Sequence, residues 1–301
     1  MLSSRFCWSL VLFLIGTLGT SCNSQPEATS LNEITIGIVG YDEGDRSLQQ
    51  YERLQTYLSE QTKAIVQIEP AYNELQAIEQ IHRKQWEIVF APPGLAAIAL
   101  DQDLYLPLFA LEELDSERRS LLVVTEDSPV QSLADLSNRV VALGAPGSAA
   151  GYYLPVYDLY GLTLAEARFA PTPKTALQWL SEGRVEAAAL SMEDFDRYQR
   201  DFSTTSFRVL HTSRWIPPGL VLLGPTVERN LQEQIERAMR DAPPDITADA
   251  GYVPSAPLPN YDPFIELVEK VLPLRESVQQ QPAVLQFEYT PPEEPPPETP
   301  L

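Results

Sequence analysis

Cysteine and histidine are almost missing from this chain of 301 residues, which holds two of each. Cys7 and Cys22 both fall in the first 22 residues. If that stretch is a leader, the remainder has no disulfide and no thiolate metal site, and its fold must rest on its core. His82 and His211 stand far apart in sequence, which argues against a histidine metal centre or a Ser/His triad. No Gly-rich phosphate fingerprint is present, so no cofactor is expected. Positive charge is scarce as well. Against 21 Lys and Arg stand 42 Asp and Glu, a formal net charge of -21 with a pI near 4.4. That balance argues against nucleic acid and against adsorption to anionic membranes, and it suits a soluble monomer. It also sets a condition: an anionic ligand must be held by local donors against an unfavourable overall field. Beyond residue 22 no apolar run is long enough to span a bilayer.

The two ends differ from the middle. Arg5 supplies a positive n-region, Trp8 to Leu18 an apolar core, and Gly19-Thr20-Ser21-Cys22 small residues before a cysteine. Residues 1–22 therefore read as a lipoprotein-type signal peptide, with Cys22 the candidate for lipidation and plain cleavage the alternative. Residues 23–32 read as a polar tether. Residues 278–301, rich in Pro and Glu, read as a disordered tail, because such a composition buries too little apolar surface. The expected location is the periplasm or cell surface of a bacterium, with a lipid anchor as the only membrane attachment.

Between these ends the chain alternates. Ile34 to Val39, Ile65 to Glu69 and Glu87 to Ala91 read as strands by their β-branched and apolar content. The segments Leu48–Thr62 and Tyr72–Lys84 carry apolar residues at helical spacing, and a short helix follows Pro92-Pro93-Gly94. A second unit opens with the strand Ser120–Val124. It continues through a turn with Ser132 as a cap, the strand Arg139–Leu143, a helix interrupted at Pro155, the short strand Arg168–Ala170, the helix Thr172–Glu182 and the strand Ala187–Leu190. Strands at Arg208–His211 and Leu220–Leu223 and helices at Val227–Met239 and Tyr261–Val271 complete the pattern. Strand–helix alternation with short loops predicts α/β lobes with helix-covered, mainly parallel sheets. In such sheets ligands bind beyond the carboxyl ends of strands.

One stretch stands out. Val140 to Leu143 is a β-rich run, Gly144-Ala145-Pro146-Gly147 a turn, and Ser148 the first residue of a helix-compatible segment through Gly151-Tyr152. Ser148 is placed at a helix N-cap, where free amides and the helix dipole suit an anion or a polar head group. An ordinary capped turn would read the same way.

In their order and spacing, Ile34 to Val39, Val89 to Pro93, Asp127 to Leu136, Ala142 to Pro155 and Gly183 to Ala189 resemble the phosphonate/phosphite-type (PhnD-like) substrate-binding proteins of ABC transporters, a group of type 2 periplasmic binding proteins. The resemblance covers roughly Ile34 to Leu223. It implies two lobes with a cleft between them: residues 33–119 plus 213–277 as lobe 1 and residues 120–212 as lobe 2. It also implies an ABC permease as partner, a small oxyanion as solute, no catalysis, and closure about the strand crossings near 118–123 and 210–220. The ligand-binding positions it implies are Tyr41, Pro93, Gly94, Thr125, Gly147, Ser148, Ala149, Ala150, Gly151, Tyr152 and Ser191. The chain departs from the family pattern at Pro92, at Ala96 where a Tyr is usual, at Ala149 and Ala150 where hydroxyls are usual, and at Ser191 where an Asp is usual. These departures imply weaker phosphonate binding, a fully deprotonated anion, or a less polar solute. A degenerate clamshell serving as a sensor or accessory lipoprotein is the alternative. The carboxylates Glu193 and Asp194 read as a solvated, dipole-matched helix start.

Overall fold

The computed structural model describes residues 32–39, 48–112 and 118–286. The expected signal peptide, most of the tether, Cys22, Tyr41 and the tail beyond residue 286 lie outside the described residues.

The first part of the chain runs β1 (Glu33–Val39), α1 (Gln49–Thr62), β2 (Ile65–Ala71), α2 (Glu74–His82), β3 (Ile88–Ala91), α3 (Pro93–Asp101) and β4 (Leu106–Leu111). The middle part is β5 (Arg119–Thr125), β6 (Val140–Leu143), a wide π-type turn at Ala149–Tyr153 continuing into α4 (Leu154–Asp158), β7 (Thr163–Leu164), β8 (Glu166–Phe169), α5 (Pro173–Ser181), β9 (Ala187–Ser191), α6 (Met192–Tyr198) and β10 (Phe207–Trp215). The last part is β11 (Leu220–Leu223), α7 (Arg229–Arg240), α8 (Pro244–Ala250), β12 (Tyr252–Val253), α9 (Asp262–Val271), α10 (Arg275–Val278) and β13 (Ala283–Val284).

Two sheets form, ordered β12-β4-β11-β3-β1-β2 and β10-β5-β9-β6-β8. Each has a parallel half, β3-β1-β2 and β9-β6-β8, built by strand–helix–strand crossovers. Each also has an antiparallel half, because the chain crosses from one lobe to the other through β4 to β5 and back through β10 to β11. The predicted mainly parallel sheets are thus mixed. Strand β4 was not legible in the sequence. It carries Pro107, which removes a ladder donor, and the β11–β4 register slips between Val221 and Leu222, beside that proline.

The apolar faces explain the layers. Tyr51, Leu54 and Leu58 of α1 bury against Ile34, Ile36 and Phe90 on one face of the first sheet. Ala176, Leu177 and Leu180 of α5 do the same on the second. The third cluster joins the lobes: Ile78, Ile81 and Leu95 of lobe 1 share one core with Leu143, Tyr152 and Leu154 of lobe 2 and with Phe264, Leu267 and Val271 of α9.

That cluster corrects two expected boundaries. Helix α9 packs on α3 of lobe 1 and on α4 of lobe 2, so the segment placed wholly in lobe 1 straddles both. The tail begins later than residue 278. β13 pairs antiparallel with β7, and Ala283 and Leu285 are fully buried. The short apolar run Ala283-Val284-Leu285 suffices for this, because β7 offers it a strand edge. Composition read over a window does not register such a run.

Candidate functional site

A cleft of about 310 Å³ lies between the sheets. Its walls are the ends of elements, and the local chemistry of those ends explains them. On the lobe 2 side, β6 ends at Leu143 and the turn leads to Ser148, whose Oγ accepts from the Gly151 amide at 3.0 Å. Thr172 caps α5, its Oγ1 accepting from the Thr175 amide at 3.1 Å. Ser191, the last residue of β9, caps α6 by accepting from the Asp194 amide at 3.0 Å. On the lobe 1 side, Asn73 caps α2 through Gln76, and Pro92 and Pro93 open α3. Five helical starts therefore border one space. First-turn amides such as those of Ala149, Ala150, Met192 and Glu193 have no intrahelical acceptor, so these walls offer donors to an anion.

The cap hydroxyls themselves are turned to their own helices. Ser191 also donates to the Asp194 carboxylate at 2.5 Å, and Thr172 shares a hydrogen with Thr175 Oγ1 at 2.9 Å. Arg118 and Arg119 reach the cleft from the crossing strand, and Arg119 is steadied by donating to the Ser213 carbonyl at 2.9 Å. Ser120 Oγ donates to the Ala150 carbonyl at 2.6 Å, which fixes the loop wall onto β5. Across the opening, Tyr198 receives Lys174 and Arg197 over its ring, at 5.7 and 5.9 Å, and Arg197 is paired with Glu193 at 2.8 Å. Much of the remaining lining is small or apolar, with Pro171, Pro173, Ala189, Met192 and Ile216 among it.

Of the residues singled out in the sequence, Pro93, Ser148, Ala149, Ala150, Gly151 and Ser191 line this cleft. Four do not. Thr125 ends β5, but β5 runs antiparallel to β9 with Ser120 opposite Ser191, so the cleft end of β5 is its amino end. Gly147 and Tyr152 lie on the reverse face of the 144–153 loop and line a second, smaller cavity. Gly94 is buried against that loop: a Cβ there would sit 1.9 Å from the Gly147 carbonyl oxygen. Gly147 itself has a φ of +115°, and a Cβ on it would sit 2.5 Å from Glu74 Cβ. The lobes thus meet backbone to backbone behind the cleft, which only glycine permits. Ala96 is fully buried in the core, so the missing Tyr leaves no extra room in the cleft.

The sequence reading also missed wall residues. Tyr72, Asn73, Glu74, Arg118, Arg119 and Thr172 line the cleft, and so do Glu193 and Asp194, which had read as solvated. A threonine shortly after a strand, before a proline and three residues ahead of another threonine, was the available cap signal for Thr172. Asp194 returns a carboxylate to the place where Ser191 seemed to have removed one.

Among the described residues no cluster of His, Cys, Asp and Glu is placed to hold a metal ion, and no helix is long and apolar enough to cross a membrane.

A sequence profile described as the periplasmic substrate-binding protein of phosphonate ABC transporters matches residues 36–267. No curated protein matches by sequence. Among solved structures, the chain is similar to XAC2383 of Xanthomonas citri bound to chloride, with TM-score 0.66, 18% identity, and 81% of this chain and 99% of that one covered. It is similar to PhnD1 of Prochlorococcus marinus in complex with methylphosphonate, with TM-score 0.62, 15% identity, and 80% and 98% covered. It is also similar to a binding-protein component of an ABC phosphonate transporter of Pseudomonas aeruginosa, with TM-score 0.57, 17% identity, and 74% and 80% covered. At these identities the likenesses establish the two-lobed type 2 periplasmic binding fold.

Proposed function

The chain belongs to the periplasmic substrate-binding proteins of phosphonate ABC transporters, and from that premise we propose that it is a lipid-anchored extracytoplasmic receptor that closes on a small phosphonate- or phosphate-like anion and presents it to a permease. The family is one of transport receptors and not of enzymes. One observation carries the choice of an anion. The helical starts at residues 148–151 and 191–193 border the same cleft as Arg118 and Arg119, so donors converge on it from lobe 2 and from the crossing strand. The cocrystallised methylphosphonate of the Prochlorococcus protein supports the same class.

Asp194 refines the class. A carboxylate one helical turn from Ser191 disfavours a fully deprotonated ligand and favours one that carries a proton or an ammonium group. The test is thermal unfolding and calorimetry of the chain from residue 23 against phosphite, methylphosphonate, phosphate, sulfate and neutral solutes. A saturable, concentration-dependent stabilisation by phosphonates supports the proposal. Stabilisation by neutral solutes alone overturns it. A sensor or accessory role draws on the inward-turned cap hydroxyls and on Ala149 and Ala150. Saturable binding together with unchanged solute uptake in a deletion strain would favour that role.

A further inference from the structure

Behind the 144–153 loop lies a cavity of about 60 Å³ that is separate from the cleft. Three parts of the molecule close it: α2 and α3 of lobe 1 through His82 and Gln102, the reverse face of the lobe 2 loop through Gly147, Tyr152 and Tyr153, and the C-terminal helices through Arg275. Its volume accommodates several water-sized atoms. We propose that it is a second binding site, for a small anion of phosphate or carboxylate size, and that its occupant ties both lobes to the C-terminal helices.

Three observations carry this. No Asp or Glu lines the cavity, although the lobe 1 and C-terminal segments around it are strongly acidic. The carboxylate beside His82, Asp103, is engaged, with His82 Nδ1 at 2.7 Å and Lys84 Nζ at 3.7 Å. Glu74 packs against Gly147 and adds to the raising of Tyr153, but it lines the cleft and not this cavity. Second, Arg275 stands exposed on α10, and among the described residues no carboxylate pairs with it. Third, Tyr152 is buried, and its hydroxyl has no hydrogen-bond partner. Burial pushes that phenol up to about 12 and raises Tyr153 further, so both are neutral O–H donors at working pH. A guanidinium and neutral phenols, with no carboxylate in the lining, suit an anion.

The position gives the occupant a consequence. The front of the loop holds Ser148 and Ala149 in the cleft, and its back holds Gly147 and Tyr152 in the cavity. Because residues of both lobes complete the cavity, an occupant binds the closed form better than the open one. Linkage then requires that it also strengthen solute binding in the cleft.

The experiment uses the chain from residue 23 in chloride-free gluconate buffer. Thermal unfolding and calorimetry with formate and with inorganic phosphate are run on the wild type and on Arg275→Ala, Tyr152→Phe and Arg118→Ala. The expected result is saturable stabilisation in the wild type, retained in Arg118→Ala, with affinity weakened on the order of tenfold in Arg275→Ala and Tyr152→Phe. Tyr152→Phe should show unchanged or higher stability without anion, which a purely structural role for the hydroxyl would not produce. No anion effect in the wild type up to about 50 mM overturns the proposal. So does an effect lost in Arg118→Ala but intact in Arg275→Ala, which would place the anion in the cleft and leave the receptor reading standing.

Discussion

The two lobes share an architecture and differ in charge. Residues 118–216, lobe 2 together with the crossing strands, hold ten Lys and Arg against eleven Asp and Glu, whereas residues 33–117 and 217–286, lobe 1 together with the C-terminal helices that straddle both, hold ten against 26. Lobe 2 also contributes most of the cleft wall and the helical starts at Ser148, Thr172 and Ser191, while lobe 1 contributes α2, two prolines and Tyr72. A net charge of -21 had seemed hostile to an anionic solute. The structure removes much of the difficulty by putting the excess acid on the lobe that supplies fewer donors. Over distances beyond a Debye length of about 8 Å those charges are screened. On the proposed function, the acidic excess lies mostly away from the segments that supply the donors.

The comparison breaks most sharply where the lobes touch. Gly94→Ala places a methyl 1.9 Å from the Gly147 oxygen, a backbone atom of the other lobe that has little room to give. Closure is expected to fail, with solute affinity lower by about a hundredfold or more, near 2.7 kcal/mol. Calorimetry reads the affinity, and small-angle scattering should show a larger radius of gyration in the presence of solute. An unchanged affinity would mean that the binding-competent form does not bring Gly94 onto Gly147.

A smaller effect tests which lobe selects. Asp194→Asn removes a carboxylate from the lobe 2 wall while keeping an acceptor for Ser191. Affinity for fully deprotonated anions should rise about tenfold, and that for proton- or ammonium-bearing solutes should fall. A solute profile identical to that of the wild type would remove Asp194 from recognition.

The complementary change in lobe 1 should do little. Glu233→Gln with Glu236→Gln, an exposed and a half-buried position of α7, is expected to alter solute affinity less than about twofold at 0.15 M salt, with the difference growing at low ionic strength. A large, salt-independent change would show that lobe 1 charge acts directly on the site.

The smallest effect is one of stability and sharpens the account of lobe 2's neutrality. Arg168 holds the Glu166 carboxyl below its ordinary value through bonds of 2.7 and 2.8 Å. A depressed carboxyl stabilises the fold above its unfolded value, near 4.5, and that contribution is lost as pH falls through the folded value. Glu166→Gln should therefore cost about 0.5 kcal/mol at pH 7 and progressively less as pH falls below about 4.5, as read from urea midpoints across pH.

Periodicity and capping made much of this molecule legible. The strands from β1 to β3 and the helices between them announce themselves by β-branched runs and by apolar residues every third or fourth position. Ser132 was read as a cap and closes a capping box with Asp135. Ser148 was placed at a helix start, and it is one. Such features are local, because a side chain hydrogen-bonds an amide three residues on or buries one stripe of its own helix.

Other features depend on segments that meet only in three dimensions. Strand β4 exists because β11 and β12 flank it, and its proline sits where the ladder slips. The direction of β5, not its composition, keeps Thr125 out of the cleft and brings Arg119 to it. Nothing in the run from Gly144 to Tyr153 says which residues face forward to a solute and which face back to a cavity. That is decided by α2, α3 and α9 packing behind it. The sequence by itself determined the two α/β lobes, the capped helical starts and the strand ends that carry them, because those are short-range matters of propensity and hydrogen bonding. Only the tertiary structure decided the segregation of charge between the parts of the molecule, the facing of the 144–153 loop and the tying of both lobes by the C-terminal helices, because each depends on contacts between residues far apart in the chain.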